Sequence, residues 1–369
     1  MIVADGGIVM RLWSGIRTDG RTGVRTSGRS VYLDALRAVA LTRVVVYHAS
    51  SNEWVTIFAA MPLMFFVAGS LFAASLERRR ARLVIRDRYR RILIPYWLYL
   101  VAMVALWASL AVLNQISPLD WVGLLFPVLS ADGPQGPGAG TPLELTWMAL
   151  WYLQFHLILS LVGPLLRRAQ QRHAVATWVT IGVLFGVGLL AGSAIAVVVF
   201  YFACWILGYH QHDGHLEQVL RRRWLPICAV VGPIGAALFV AVGPDPGTAL
   251  GIRLGGLGAA MLGVFWLVAA MGLRPFVEPH LNGAATLTVV NWFSQRSLTI
   301  YMWHLVAIYV AVELALPGMS SWPVRVLWCA AGTVVAVVLF GWAEDFAARR
   351  KVRLWPRRVV TVPDRSTNR

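Results

Sequence analysis

Arg37 and His48 stand eleven residues apart in the stretch RAVALTRVVVYH, inside an apolar run. At 100° per residue, eleven positions make three turns plus about 20°, so a helix carries both on one face, about 16 Å apart along its axis. A charged side chain in hydrocarbon costs roughly 2.5–3.5 kcal/mol on insertion scales, so such groups tend to face cavities and mark functional pathways. An arginine at one mouth suits a phosphate or another anion. A histidine deeper in takes a proton near neutral pH. The competing reading is a structural pair satisfied by neighbouring helices, or an Arg37 that only snorkels to the interface. Arg43 lies about 240° around from Arg37. Stacking on Tyr47, one turn later, is open to it, and its spacing assigns it no function.

The surrounding chain must supply the helices that position these groups. Of its 369 residues 58% are hydrophobic and only 14% charged, with a mean hydropathy of +0.65. That leaves too little polar surface to cover a soluble core. The apolar runs are near twenty residues long, enough to cross about 30 Å of hydrocarbon. The expected fold is all-α, a polytopic transmembrane bundle of about ten helices. Spans are expected near 32–52, 54–76, 92–113, 146–166, 174–191, 193–210, 225–243, 250–272, 291–314 and 323–346. No segments alternate in polarity as a membrane β-barrel requires.

Charge placement tests that count. The net charge is +16, and Lys351 is the only lysine. A basic chain suggests nucleic acid, but here the cations sit between apolar runs, so no nucleic-acid partner is expected. With ten spans and both termini cytoplasmic, the inner segments hold 28 of the 33 basic residues, as the positive-inside rule requires. The other five, Arg37, Arg43, Arg253, Arg296 and Arg325, fall within spans or at their edges. The expected organisation is a flexible basic tail over 1–31 without a cleavable signal, a transmembrane domain over 32–346, and a second basic tail over 347–369. The long outer loop 114–145 contains LDWVGLLF, which could lie along the membrane surface; it is either a cover for an outer entrance or a plain connector. Cys204, Cys228 and Cys329 read as small buried hydrophobes. The cluster HQHDGH at 210–215 is open to a metal reading, though a solvated inner loop is favoured; no metal is expected.

Several stretches carry a resemblance in the right order: YLDALRAVALTRVVVYH, MPLMFFVAGSLFAASL (61–76), RYRRILIPYWLYL (88–100), TWMALWYLQFHLILSLVGPLL (146–166), YFACWILGYH (201–210) and SLTIYMWHLVAIYV (297–310). Together they resemble the membrane-bound acyltransferase 3 family. The resemblance implies transfer of an acyl group, often acetyl, from cytosolic acyl-CoA to a hydroxyl at or beyond the outer face. No permanently bound cofactor is implied; acyl-CoA is a substrate. The partners implied are the lipid bilayer, acyl-CoA and a hydroxylated acceptor, namely a glycan, glycolipid or metabolite. His48 would act as general base or transient acyl carrier, and Arg37 would hold the CoA phosphates or the donor. Asp34, three residues before Arg37, can pair with it on the same helix. Phe65, Phe66, Tyr301 and His304 match the family's pattern as candidate substrate-binding residues of the cavity, and Trp151 either lines it too or belongs to the interfacial aromatic belt. Arg90 and Arg91 could meet CoA phosphates, although positive-inside topology explains them equally. His156 is equally open to a satisfied interior role. The sequence departs from the family at Ala68-Gly69-Ser70, where Ser-Gly is usual, and at Arg43, where an apolar residue is usual. The rival function is a transporter or exporter without acyl chemistry, its Arg and His serving as substrate or proton sites.

Overall fold

In a computed structural model of the chain, residues 30–130, 133–191, 194–243 and 248–354 are described. The basic tails over 1–29 and 355–369, the Gly192-Ser193 junction and most of the GPDPG turn lie outside them. Among the described residues there are twelve α-helices and no strand: α1 (Val31–Ser50), α2 (Ala60–Arg78), α3 (Ala81–Ser109), α4 (Pro118–Leu125), α5 (Leu150–Arg172), α6 (Ala174–Leu190), α7 (Ala194–His212), α8 (His215–Val242), α9 (Ala249–Val277), α10 (Ala284–Glu313), α11 (Trp322–Phe340) and α12 (Trp342–Ala347).

Ten of these are long, and each falls on one expected span. Seven (α2, α3, α5, α7, α8, α9 and α11) are long and apolar enough to cross a membrane by length and composition. The apolar α6 is slightly shorter. The remaining two, α1 and α10, carry most of the polar candidates, including Arg37, His48 and His304.

Local chemistry sets the ends. Ser30 caps α1 by accepting from the Leu33 amide, and Ser51 closes it in the left-handed region at φ 53°. Asn52 then caps a short 3-10 turn (Glu53–Ile57). This delays α2 to Ala60, later than hydropathy alone suggests. α3 begins eleven residues before its expected span, because the arginine-rich stretch extends the apolar helix rather than forming a loop. In the long loop, Ser117 and Pro118 start α4, which leaves Leu119, Val122, Leu125 and Phe126 exposed. An amphipathic helix of this kind fits a membrane surface, as LDWVGLLF suggests.

α2 is the most interior helix, and its side chains from Leu63 to Val67 are buried. Val175, Val179, Val183 and Val187 of α6 are exposed at helical spacing, which costs nothing against lipid tails. α2 meets α7 backbone to backbone. A Cβ on Gly69 would come within 2.1 Å of the Trp205 carbonyl oxygen, and one on Gly208 within 2.2 Å of the Phe66 oxygen. Ser70 adds a hydrogen bond to Gln211 across this seam, Oγ to Oε1 at 2.5 Å. Small residues that let helices approach this closely are the usual glue where no hydrophobic force acts between helices. The glycine of the Ala68-Gly69-Ser70 departure is therefore required by packing, and the serine beside it ties the two helices. The three cysteines are free and buried, as expected.

Candidate active site

His48 lies half-buried near the end of α1, its ring 5.3 Å from that of His304 on α10. His304 is completely buried. Its Nδ1 lies 2.7 Å from the Tyr301 carbonyl oxygen. Tyr301 in turn donates its hydroxyl to the Ala149 carbonyl at 2.9 Å, which anchors the start of α5 to α10. From this pair a wall of rings runs through the bundle. Tyr301 packs on Tyr152 at 4.9 Å, and Tyr152 on Phe65 and His156 at 5.1 and 5.8 Å. Phe65 stacks on Tyr201 at 4.6 Å, and Tyr201 on Trp151 at 5.8 Å. Five helices thus contribute to one aromatic and imidazole lining. Phe66, fully buried, belongs instead to the α2–α7 seam, where its carbonyl oxygen faces Gly208.

The His48 end of α1 is held by two arginines. Arg325 of α11 donates to the carbonyls of Ala49 and Ser50 at 3.0 and 2.8 Å. It thereby satisfies the last turn of α1 and places a cation at the negative end of the helix. Arg43 donates from Nε to the Val55 carbonyl at 2.9 Å and lies over the Tyr47 ring at 5.1 Å. Tyr47 donates to Glu53 at 3.1 Å. Arg43, which spacing left without a role, fastens the loop after α1 back onto the helix, and the stacking open to it is formed.

Arg37 lies nearer the start of α1. It is half-buried and lies about three turns before His48 on the same face of α1, while His48 faces α10. Asp34 accepts a hydrogen bond from Ser294 of α10 at 3.1 Å, which ties the start of α1 to that helix. Arg90 donates from Nε to the Ala347 carbonyl at 2.8 Å, turned toward α12. Arg91 is exposed.

Sequence reasoning passed over Arg88. Its guanidinium lies over Phe72 at 5.6 Å, and its charge acts on Tyr152, His156 and Tyr209. The signal was there: Val84, Pro95, Tyr99 and Met103 form the buried stripe of α3, and Arg88 continues it at i+4 from Val84. Also unforeseen was a polar clasp around α12. Arg296, fully buried, donates to Asp345 at 2.7 Å and to the Arg353 carbonyl at 2.9 Å. Thr299 donates its amide and hydroxyl to Glu344.

The residues of HQHDGH divide among different partners. Asp213 pairs with both terminal nitrogens of Arg167 at 2.5 and 2.6 Å. Burial opposes ionisation of this carboxyl, but the hydrogen bonds and charge of Arg167 outweigh it and hold its pKa below the ordinary range. His212 meets Glu77 at 2.9 Å, and Trp178 donates to His210 at 3.2 Å. Among the described residues no three His, Cys, Asp or Glu side chains are grouped to hold a metal ion.

A family model described as an acyltransferase domain, that of acyltransferase 3, matches residues 30–342. The chain belongs to this acyltransferase family. No curated protein and no solved structure matches it. The matched region runs from the cap of α1 to the first residue of α12, so it contains both ends of the Arg37–His48 face and the whole ring wall. With its apolar helices, membership makes this a multi-pass membrane acyltransferase.

Proposed function

We propose that this protein is an integral-membrane O-acyltransferase of the cell (plasma or inner) membrane, with both termini cytoplasmic. It takes an acyl group, acetyl by preference, from cytosolic acyl-CoA to a hydroxyl of a cell-surface glycan, glycolipid or secreted metabolite. What supports this reading is the acyltransferase family model over residues 30–342, with His48 set against His304 and the ring cluster on the same helix as Arg37.

The division of labour follows from the chemistry of each end. Arg37, joined by Arg88, supplies fixed positive charge where the polyanionic part of CoA would bind, and guanidinium suits phosphate geometry. Arg91 adds charge at the same mouth. The flexible thioester arm then runs along the wall of Tyr152, Phe65 and Tyr301 toward His48. There the imidazole takes the proton of the acceptor hydroxyl as its oxygen attacks the thioester carbon. The C–S bond breaks with its electron pair on sulfur, and the thiolate takes the proton back from the imidazolium. Removing a positioned general base costs about 10²–10⁴ in rate.

His48→Ala tests this. In membranes supplied with labelled acetyl-CoA, acylation of endogenous acceptors should fall at least about 100-fold. A correctly inserted variant with undiminished transfer rejects the role given to His48.

A further inference from the structure

The contact between the two imidazoles carries more than a shared wall. A backbone carbonyl can only accept, so the 2.7 Å contact from His304 Nδ1 to the Tyr301 oxygen puts the ring proton on Nδ1. A neutral His304 then has a bare lone pair at Nε2. A second proton there would bury an unpaired cation in the bundle. That Nε2 is buried without a hydrogen-bond partner, although buried polar atoms are rarely left so. The ring cannot swing away to find one. Its residue is completely buried, and its Nδ1 is tied. The neighbouring Tyr301 hydroxyl is already committed to Ala149. The nearest titratable ring on another helix is His48, at 5.3 Å and tilted by 45°.

We infer that His304 is the positioning residue of His48: its Nε2 accepts the N–H of the His48 ring, reached by a turn of the half-buried His48 ring or through one bridging water. This rests on the acyltransfer reading above. The bond leaves the lone pair of the other His48 nitrogen for the acceptor hydroxyl. A base held by a third group in this way is the general arrangement of an activated proton acceptor. Here a tautomer-locked imidazole takes the place of the carboxylate, which avoids a buried negative charge. No net proton moves to His304. The proton balance of the transfer step, hydroxyl to His48 to thiolate, is unchanged.

The two ring nitrogens can be tested separately. In His304→Asn the amide nitrogen can keep the bond to Tyr301, but nothing reaches His48. In His304→Gln the longer side chain brings an acceptor oxygen near the position of Nε2. The full chain in membranes that hold its endogenous acceptors is supplied with acetyl-CoA, and release of the CoA thiol above that of membranes lacking the protein is followed. H304N should lose about tenfold or more in kcat with KM for acetyl-CoA unchanged, and H304Q should recover most of the loss. CoA binding by calorimetry reads folding independently of turnover. Equal losses in the two variants, or an H304N protein at the wild-type rate, overturn the inference. If H304N does not insert, H304Q decides alone: near-wild-type turnover supports the inference, and a loss as deep as that of His48→Ala sinks it. An active His48→Ala protein, or a wild-type protein that releases no CoA, instead overturns the acyltransfer reading, and the positioning role falls with it. An inactive His48→Ala beside a fully active H304N removes the positioning role alone.

Discussion

The two ends of α1 are built differently. At the His48 end, nearly every contact fixes a position: Arg325 holds two carbonyls, Arg43 fastens the following loop, and the Tyr301–His304 bond locks the facing ring. At the Arg37 end the fixing contacts belong to its neighbours, Asp34 with Ser294 and Arg90 with the Ala347 carbonyl, and Arg37 itself stands half-buried as a fixed charge. On the proposed reading the contrast separates two tasks. Proton transfer depends on sub-ångström placement, whereas holding a polyanion depends mainly on the sum of charges and tolerates looser geometry.

Substitutions can break that contrast, beginning with the largest effect. Arg37→Ala should raise KM for acyl-CoA by about 10–100-fold, the worth of a charge-assisted hydrogen bond of roughly 1.5–3 kcal/mol, while kcat changes less. Steady-state kinetics with varied acetyl-CoA checks this, and a fall confined to kcat would merge the two ends. Arg325→Leu should act in the opposite sense. Freeing the last turn of α1 lowers kcat by roughly tenfold through misplacement of His48 and leaves KM for the donor in place. Gly69→Ala belongs to neither end. Its cost is overpacking of about 1–3 kcal/mol, read as a lowered Tm in detergent, and an unshifted Tm would mean that the α2–α7 seam opens easily. Arg90→Ala sets the floor. Since Arg90 bonds to the Ala347 carbonyl, donor KM should change less than about threefold, within the usual range of modest single contacts, and a rise as large as that of Arg37→Ala would place Arg90 at the donor mouth.

Much of the fold was legible because hydropathy and charge are local signals. A twenty-residue apolar run between basic loops reads as a span whatever surrounds it. The start of α3 was misread for the same reason: charge marks where a helix leaves hydrocarbon, not where it ends. That error hid Arg88, whose place on the buried stripe shows only once the helix is extended to Ala81. The Arg37–His48 face followed from helical periodicity alone. Pairings between helices did not. Asp34 suggested its neighbour Arg37, but its bond from Ser294, 260 positions away, carried no local signal. His48 and His304 meet through the packing of α1 on α10. The partner of Arg43 is a backbone carbonyl in a loop, and carbonyls carry no sequence signature. The clasp of Arg296 and Asp345 was equally invisible, since neither residue sits in a motif.

The seam between α2 and α7 has a mechanical consequence. With Gly69 and Gly208 bringing main chain against main chain, the two helices cannot slide without a clash of backbone atoms, and they behave as one rigid keel. On the proposed reading, an acyl chain entering the bundle opens space elsewhere. The joint against that keel is made by side chains, the ring contacts of Tyr152 with Phe65 and Tyr301, and it holds no main-chain lock of the α2–α7 kind.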